Sequence, residues 1–372
     1  KNKYVLYSDK ELNSSFLCDL NLEKNTHVKV KVLQWPFSFL WTLGRLSLEM
    51  IFHRPNVLFV PAHSLPLFFP KKTVNTIHDI AFVENDYWYH PAISYDNFSS
   101  PSKTTNSLVK FFTFGKYSSR ASDYLKWSTK FALKKARKII TVSEFTKAEI
   151  LKNYKVKADK IAVVYNGFMD SLYKINNDQE LSDFIIKKYG LNYPYFLYVG
   201  RLEKKKNIHR LIEGFAIFKE NNKDSQEKLV LVGRAGYGYD EMKYLIDEFA
   251  LENDVVILGW VDESDMPYIF NLAKVFVFPS LYEGFGIPVL QAMACGTPVL
   301  LSDLEVFFEV AGKNNNAVFF DRFSVCDLAE KMRVITSDEN LRQNLIKNGL
   351  EHVKNFSFEK CAKETLSVIE KM

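Results

Sequence analysis

Three side chains in this sequence are spaced to act on a ligand that carries both negative charge and hydroxyl groups. Arg201 and Lys206 stand in "VGRLEKKKN", residues 199–207, directly after an apolar run that ends at Gly200. Two cations at the mouth of a strand make an anion site, and the helix start that follows adds backbone N–H donors; a diphosphate would suit it. Glu283 stands in "SLYEGFGIPVLQAMACGTPVLLSD", residues 280–303, between a second apolar run and a helix whose first turn accepts Pro288. A carboxylate there can accept hydrogen bonds from sugar hydroxyls, and the amides of Phe285, Gly286 and Ile287 face a phosphate or sugar oxygen. Each signal has an ordinary alternative: a lysine-rich turn in water, an acid that caps a helix.

The elements that must position these groups are visible as alternating strands and helices. In the first half "KYVLYS", "VKVKVL", "NVLFVP", "KTVNTIHD" and "KIITVSE" read as short strands, and "YLKWSTKFALKKAR" as an amphipathic helix. In the second, "YFLYVG", "KLVLVG", "VVILGWV", "VFVFPS" and "TPVLLSD" repeat the pattern. Continuous apolar strands between helices mean parallel sheets covered on both faces, so an α/β chain of two Rossmann-like domains is expected. Ligands in such sheets sit at the carboxyl ends of the strands. The joint falls in the polar stretch after "VVYNG", with Asn166 and Gly167 as hinge positions.

Charge is divided between the halves. Residues 1–170 hold 25 Lys and Arg against 14 Asp and Glu, and residues 171–372 hold 24 against 30, so the first half is basic and the second acidic. The first half is therefore expected to meet an anionic surface or substrate, against the alternative that its basic helices are only solvated. The segment 36–52 reads as an amphipathic helix or a core-packed one. Residues 97–120 read as a Ser/Thr/Lys-rich loop with an aromatic cluster at 108–114. Cys18, Cys295, Cys326 and Cys361 are scattered, with no paired spacing that would indicate a disulfide framework or a metal knuckle. No run of about 18 uncharged apolar residues is present, and a cytoplasmic protein is expected. Walker, G-x-G-x-x-G, G-x-S-x-G and H-E-x-x-H motifs are missing, and no nucleic-acid-binding module accompanies the basic half.

The pairing of "VGRLEKKKN" with "PSLYEGFGIPVLQAMACGTPV", each after a strand, resembles the retaining nucleotide-sugar glycosyltransferases of family 4. The resemblance extends through "TIHDIAF", "TVSEFTK", "VVYNGF", "LVLVG", "LGWV" and "FSFEKCAKETL", which covers nearly the whole chain. It implies the GT-B fold, two Rossmann-like domains facing each other across a donor/acceptor cleft: residues 1–168 on the acceptor side, residues 169–355 binding the nucleotide sugar, and residues 356–372 packing back on the first domain. Position by position it implies that Arg201 and Lys206 hold the donor diphosphate, that Glu283 contacts sugar hydroxyls, and that Phe285, Gly286 and Ile287 approach the sugar and phosphate through the main chain. Gly200 permits the tight turn before the cations. His78 matches a histidine near the reacting centre, and Gly259, Trp260 and Val261 match the loop beside the base.

Two departures stand out. The second acid of the family's E-x7-E motif, which binds the ribose, is Gln291 here. Exchanging a charge-assisted bond for a neutral one is expected to weaken donor binding by about 1–2 kcal/mol. The family normally begins with a strand, a Gly-rich loop and a helix, whereas this sequence opens on "KNKYVLYSDK", which reads like the second strand, so the expectation is either a fragment or a chain without the first unit. The implied activity is transfer of a hexose, mannose from GDP-mannose as the best choice, to a glycan or lipid-linked acceptor, with no cofactor beyond the GDP- or UDP-linked donor and no metal, since no D-x-D occurs. The acceptor side is expected to dock on an anionic membrane. The alternatives are a weak or inactive sugar-nucleotide-binding scaffold and a GT-B nucleotide-sugar epimerase.

Overall fold

The computed structural model describes residues 2–12, 26–36, 41–84, 121–313 and 315–372. Every strand pairing among them is parallel. Strands β1 (Tyr4–Ser8) and β2 (Val28–Val32) pair with Tyr4 opposite Val28. Strands β3 (Leu58–Val60), β4 (Thr73–Ile77), β5 (Lys138–Thr141) and β6 (Ile161–Val163) form a four-stranded sheet in chain order. The described residues of the first half thus carry two sheets where one was expected. Among the described residues β1 bonds only to β2 and β3 only to β4, and β1 stays half-exposed along Tyr4, Val5 and Leu6.

The second half is a single six-stranded sheet of β7 (Tyr195–Val199), β8 (Lys228–Val232), β9 (Val255–Gly259), β10 (Val275–Phe278), β11 (Val299–Ser302) and β12 (Val318–Phe320). Its order is β12-β11-β10-β7-β8-β9. The chain runs outward from β7 to β9, then returns to place β10 on the other side of β7. That reversal opens a crevice above the carboxyl ends of β7 and β10, where ligands of such sheets bind. The central strands are apolar on both faces because helices cover both faces: Phe196, Leu197, Val230, Phe276 and Leu300 are fully buried.

The α-helices among the described residues are α1 (Ser47–Phe52), α2 (Ala81–Glu84), α3 (Ala121–Lys135) and α4 (Glu144–Asn153) in the first half. The second half adds α5 (Gln179–Tyr189), α6 (Ile208–Asn221), α7 (Tyr239–Glu248), α8 (Met266–Leu272), α9 (Ile287–Ala294) and α10 (Glu305–Val310). It closes with α11 (Val325–Ser337), α12 (Glu339–His352) and α13 (Phe358–Glu370). Sequence signals set their starts: Ser143, Asp178, Ser324, Asp338 and Ser357 each accept a backbone N–H from the first turn of the helix that follows.

Helix α13 lies against the first half, where Cys361, Val368, Ile369 and Met372 pack on Val74, Ile140 and Val164. The segment read as 36–52 is described at 36 and from 41 onward. It buries Leu46 and Met50 and exposes Leu48, Ile51 and Phe52, so one face packs and the other does not. The segment 97–120, read from the sequence as a loop with an aromatic cluster at 108–114, lies outside the described residues. No helix among the described residues is long and apolar enough to cross a membrane.

Candidate functional site

The loops that leave β7, β8 and β10 are stitched together by their backbones. Gly200 N–H donates to the Val232 carbonyl, Leu202 to Arg234 and Lys204 to Tyr237, which prolongs the β7–β8 ladder past the sheet edge. Leu281 N–H donates to the Lys205 carbonyl at 3.0 Å, tying the loop after β10 to the same turn. The approach is so close that a Cβ on Gly233 would stand 1.9 Å from the Gly200 carbonyl oxygen. Gly233 also has φ +145° and Gly200 φ +153°, backbone that glycine tolerates and side chains resist.

This frame puts Lys206 and Glu283 together. The Lys206 ammonium forms an ion pair with the Glu283 carboxylate, which also accepts from Ser280 Oγ at 2.8 Å. Both side chains are largely buried, 16% and 13% exposed, and the ammonium lies 5.7 Å from the Phe278 ring centre. An ammonium has three N–H bonds, of which Glu283 takes one, so the group can serve an acid and an anion at once. Arg201 faces the β8 side of the same turn. Its Nε is 3.6 Å from a Glu203 carboxylate oxygen, and the guanidinium runs beside Gly236, where a Cβ would stand 3.0 Å from it.

The helix α9 begins at the other lip of the crevice. Gly286 precedes it with φ +112°, and Pro288 occupies its first turn. Phe285 is buried, with its ring against Tyr165 and Phe356, so only its main chain is available to a ligand. Gln291, half-buried, follows Ile287 by one helical turn and shares its face. At the end of β9, Gly259 has φ +68° and its carbonyl accepts from Gly233 N–H. Val261 turns into the core, and Trp260 turns out, 65% exposed. The Arg234 guanidinium stacks over the Trp260 ring at 4.6 Å. Arg234 was not singled out in the sequence, although it follows the "LVLVG" strand as Arg201 follows "YFLYVG".

His78 reaches the site from the first half. It is exposed at the end of β4, and its Nε2 donates to the Pro61 carbonyl at 3.0 Å. His63 makes the reciprocal bond across the same gap, donating through Nε2 to the Asp79 carbonyl at 2.7 Å. The two rings lie 6.0 Å apart. Burial holds the His63 imidazole below its ordinary value, only partly offset by the Asp79 carbonyl. No local sequence signal marks His63. The backbone of Gly284 packs directly on His78: a Cβ on Gly284 would stand 2.0 Å from the His78 carbonyl oxygen. The two halves therefore meet one residue away from Glu283. Among the described residues no group of three or more His, Cys, Asp or Glu could hold a metal ion.

Residues 182–352 match the family Glycosyl transferases group 1, and residues 20–170 match Glycosyltransferase Family 4. An O-antigen chain mannosyltransferase B of Escherichia coli is 30% identical over 331 residues, covering 87% of this chain and 82% of that protein. The O-antigen chain mannosyltransferase RfbU of Salmonella typhimurium is 35% identical over 187 residues, about half of each chain at 50% and 48%. Among solved structures, that of Anabaena HepE in complex with UDP and glucose superposes with a TM-score of 0.70 at 18% identity over the full length of both chains. WaaG, a glycosyltransferase involved in lipopolysaccharide biosynthesis, gives a TM-score of 0.69 at 15% identity over 99% of each chain.

Proposed function

The chain belongs to the group 1 and family 4 glycosyltransferases of GT-B fold, and from that premise we propose that it transfers a hexose with retention of configuration to a glycan or lipid-linked acceptor. The observation that carries the reading is the Lys206–Glu283 pair, a cation and an acid held together where the β7 and β10 loops meet at the topological switch. We assign mannose as the sugar and GDP as the carrier, in cell-surface polysaccharide synthesis. The mannosyltransferase relatives support the sugar; UDP remains the competing carrier.

In this mechanism Arg201 and Lys206 neutralise the diphosphate as it departs, and Glu283 accepts from sugar hydroxyls. The amides of Gly286 and Ile287, at the start of α9, face the sugar and phosphate oxygens. Gly200 lets the cation turn approach the diphosphate, Gly259 to Val261 flank the base, and Gln291 meets the ribose. The bond from the anomeric carbon to the phosphate oxygen breaks, its electron pair goes to that oxygen, and the acceptor hydroxyl bonds to the same face of the sugar. The acceptor proton passes to the leaving phosphate oxygen, so no protein nucleophile is needed. Fixed cations at the site of developing charge lower the barrier without reorganising. His78 orients the sugar from the opposite wall. No metal takes part.

Calorimetric titration of the full chain with GDP, UDP and their sugar conjugates tests this, alongside an Arg201→Ala/Lys206→Ala variant. Binding of one nucleotide that the variant loses, with an α-linked product from an α-linked donor, is the expected result. A folded chain that binds none of them defeats the reading, and binding without any transfer would favour a scaffold. Donor consumed without an acceptor would indicate an epimerase.

We also propose that the acceptor side works at an anionic lipid surface on the cytoplasmic face of the membrane. Leu48, Ile51, Phe52, Leu67 and Phe68 are exposed at 45%, 45%, 75%, 48% and 53%. The Leu67 N–H donates to Ser47 Oγ, which joins the loop to α1. Apolar side chains beside exposed Arg54, Lys71 and Lys72 suit a headgroup boundary. Co-sedimentation with vesicles containing an anionic lipid should exceed that with neutral vesicles; equal recovery would overturn this.

A further inference from the structure

We propose that Thr146, Ser143 and Glu309 are positioning residues that register the two domains, so that His78 on one and Glu283 on the other act on a single sugar. The inference rests on the glycosyltransferase reading above. Ser143 and Thr146 are fully buried polar side chains at the start of α4, in the first domain, and none of their chemistry is used by the mechanism.

Their hydroxyls point across the joint. Ser143 Oγ donates to the Gly284 carbonyl at 2.7 Å, while as the cap of α4 it accepts from Thr146 N–H at 3.0 Å. Thr146 Oγ1 stands 3.2 Å from the Gly284 carbonyl and 3.3 Å from the His78 carbonyl. Each hydroxyl has one proton. Ser143 commits its proton to Gly284 at the shorter distance, which leaves the Thr146 proton for His78, for a second bond to Gly284, or for Ser143 Oγ at 3.0 Å. The two carbonyls so gathered belong to His78 itself and to the neighbour of Glu283. No side chain fits at Gly284, where a Cβ would stand 2.0 Å from the His78 carbonyl oxygen.

Glu309 closes the same joint from the other domain. Its carboxylate, on α10, accepts Glu144 N–H at 2.6 Å and Phe145 N–H at 3.0 Å, the outward-pointing amides of the first turn of α4. Tyr165, on the strand-to-joint connection, also bonds to Glu309, and its phenol is held above its ordinary value by burial and by that carboxylate. Phe145 packs on Tyr282 with ring centres 5.5 Å apart, one residue before Glu283. Opening the joint would break these bonds together and separate His78 from Glu283. Ser143, Thr146 and Glu309 themselves lie outside the loops assigned to the nucleotide.

The test separates registration from folding by comparing a bare nucleotide with its sugar conjugate. Ser143→Ala would also remove the cap of α4, so the informative variants are Thr146→Val and Glu309→Gln, with Thr146→Ser as the hydroxyl-preserving control. Calorimetry with GDP and GDP-mannose, and with UDP and UDP-glucose, should give nucleotide affinities within about twofold of the parent chain. The extra affinity contributed by the sugar should vanish, and transfer should fall about ten- to hundredfold, the scale set by misplacing a reacting group. Thr146→Ser should restore both. Variants that keep the sugar increment and the parent rate would overturn the proposal, as would a parallel loss of nucleotide and sugar-nucleotide affinity, which marks a purely structural role. A parent chain that binds no nucleotide at all defeats the functional reading instead.

Discussion

At the scale of single residues, the pair Lys206 and Glu283 carries more of the site than either residue's position in the sequence announced. Replacing Lys206 with Ala removes a cation whose charge counts most as the diphosphate departs, while Arg201 remains to bind the nucleotide. We expect kcat/KM to fall about 10²- to 10³-fold, as when a preorganised charge-stabilising donor is lost. Nucleotide affinity should fall far less, which steady-state kinetics set beside calorimetry will read. Gln291 makes the opposite prediction. Gln291→Glu restores a charged acceptor at the helix position one turn beyond Ile287, and a charge-assisted ribose bond should tighten donor binding about tenfold. The rate of the chemical step should barely change, because the ribose is remote from the bond that breaks. A variant with unaltered donor affinity would remove Gln291 from the ribose site.

At the scale of elements, the strands and their exits were legible and the partners across the joint were not. Apolar runs ending in Gly200 and at the "LYEGFG" turn identified β7, β10 and the loops that follow them, because a strand buried on both faces has no polar positions to blur it. The starts of α6 and α9 were equally plain, with Asn207 before one and Gly286 and Pro288 at the other. The bonds from Glu309 to α4 join residues 164 and 165 positions apart, and nothing local to "LEVFFEVAG" marks the carboxylate as a cap for a distant helix. The same holds for His63, and for the two sheets among the described residues of the first half. Gly233 shows what the legible part depends on. A methyl group there meets the Gly200 carbonyl at 1.9 Å on backbone already at φ +145°. Gly233→Ala should cost at least about 2 kcal/mol and lower nucleotide affinity with it, because the cation-bearing turn must move. Thermal melting with and without nucleotide will show whether both change.

At the scale of the whole molecule, the first half is held to the second by backbone packed on backbone, while the first half's own loops at the cleft depend on a histidine that must stay neutral. Gly167, read as a hinge position, lies where the crossing chain leaves no room: a Cβ there would stand 2.1 Å from Phe358 N, where the chain enters α13 and returns to the first half. On the far side of the cleft, His63 and His78 latch their loops by reciprocal bonds to Asp79 and Pro61. The His63 imidazole is neutral because burial disfavours its charged form, and its folded value lies below the ordinary 6.5. The unfolded chain therefore takes up a proton that the folded chain resists. This contribution to stability is fully present above about pH 6.5 and is lost as the pH falls toward the folded value. His209, also lowered chiefly by burial, adds to the same trend, so the parent profile alone does not isolate His63. His63→Gln keeps an N–H donor for the Asp79 carbonyl and removes the titration. Its melting temperature should decline less steeply than that of the parent between about pH 7.5 and about pH 5.5. Identical slopes would mean that the latch does not titrate in this range and that the acid sensitivity of the fold lies elsewhere.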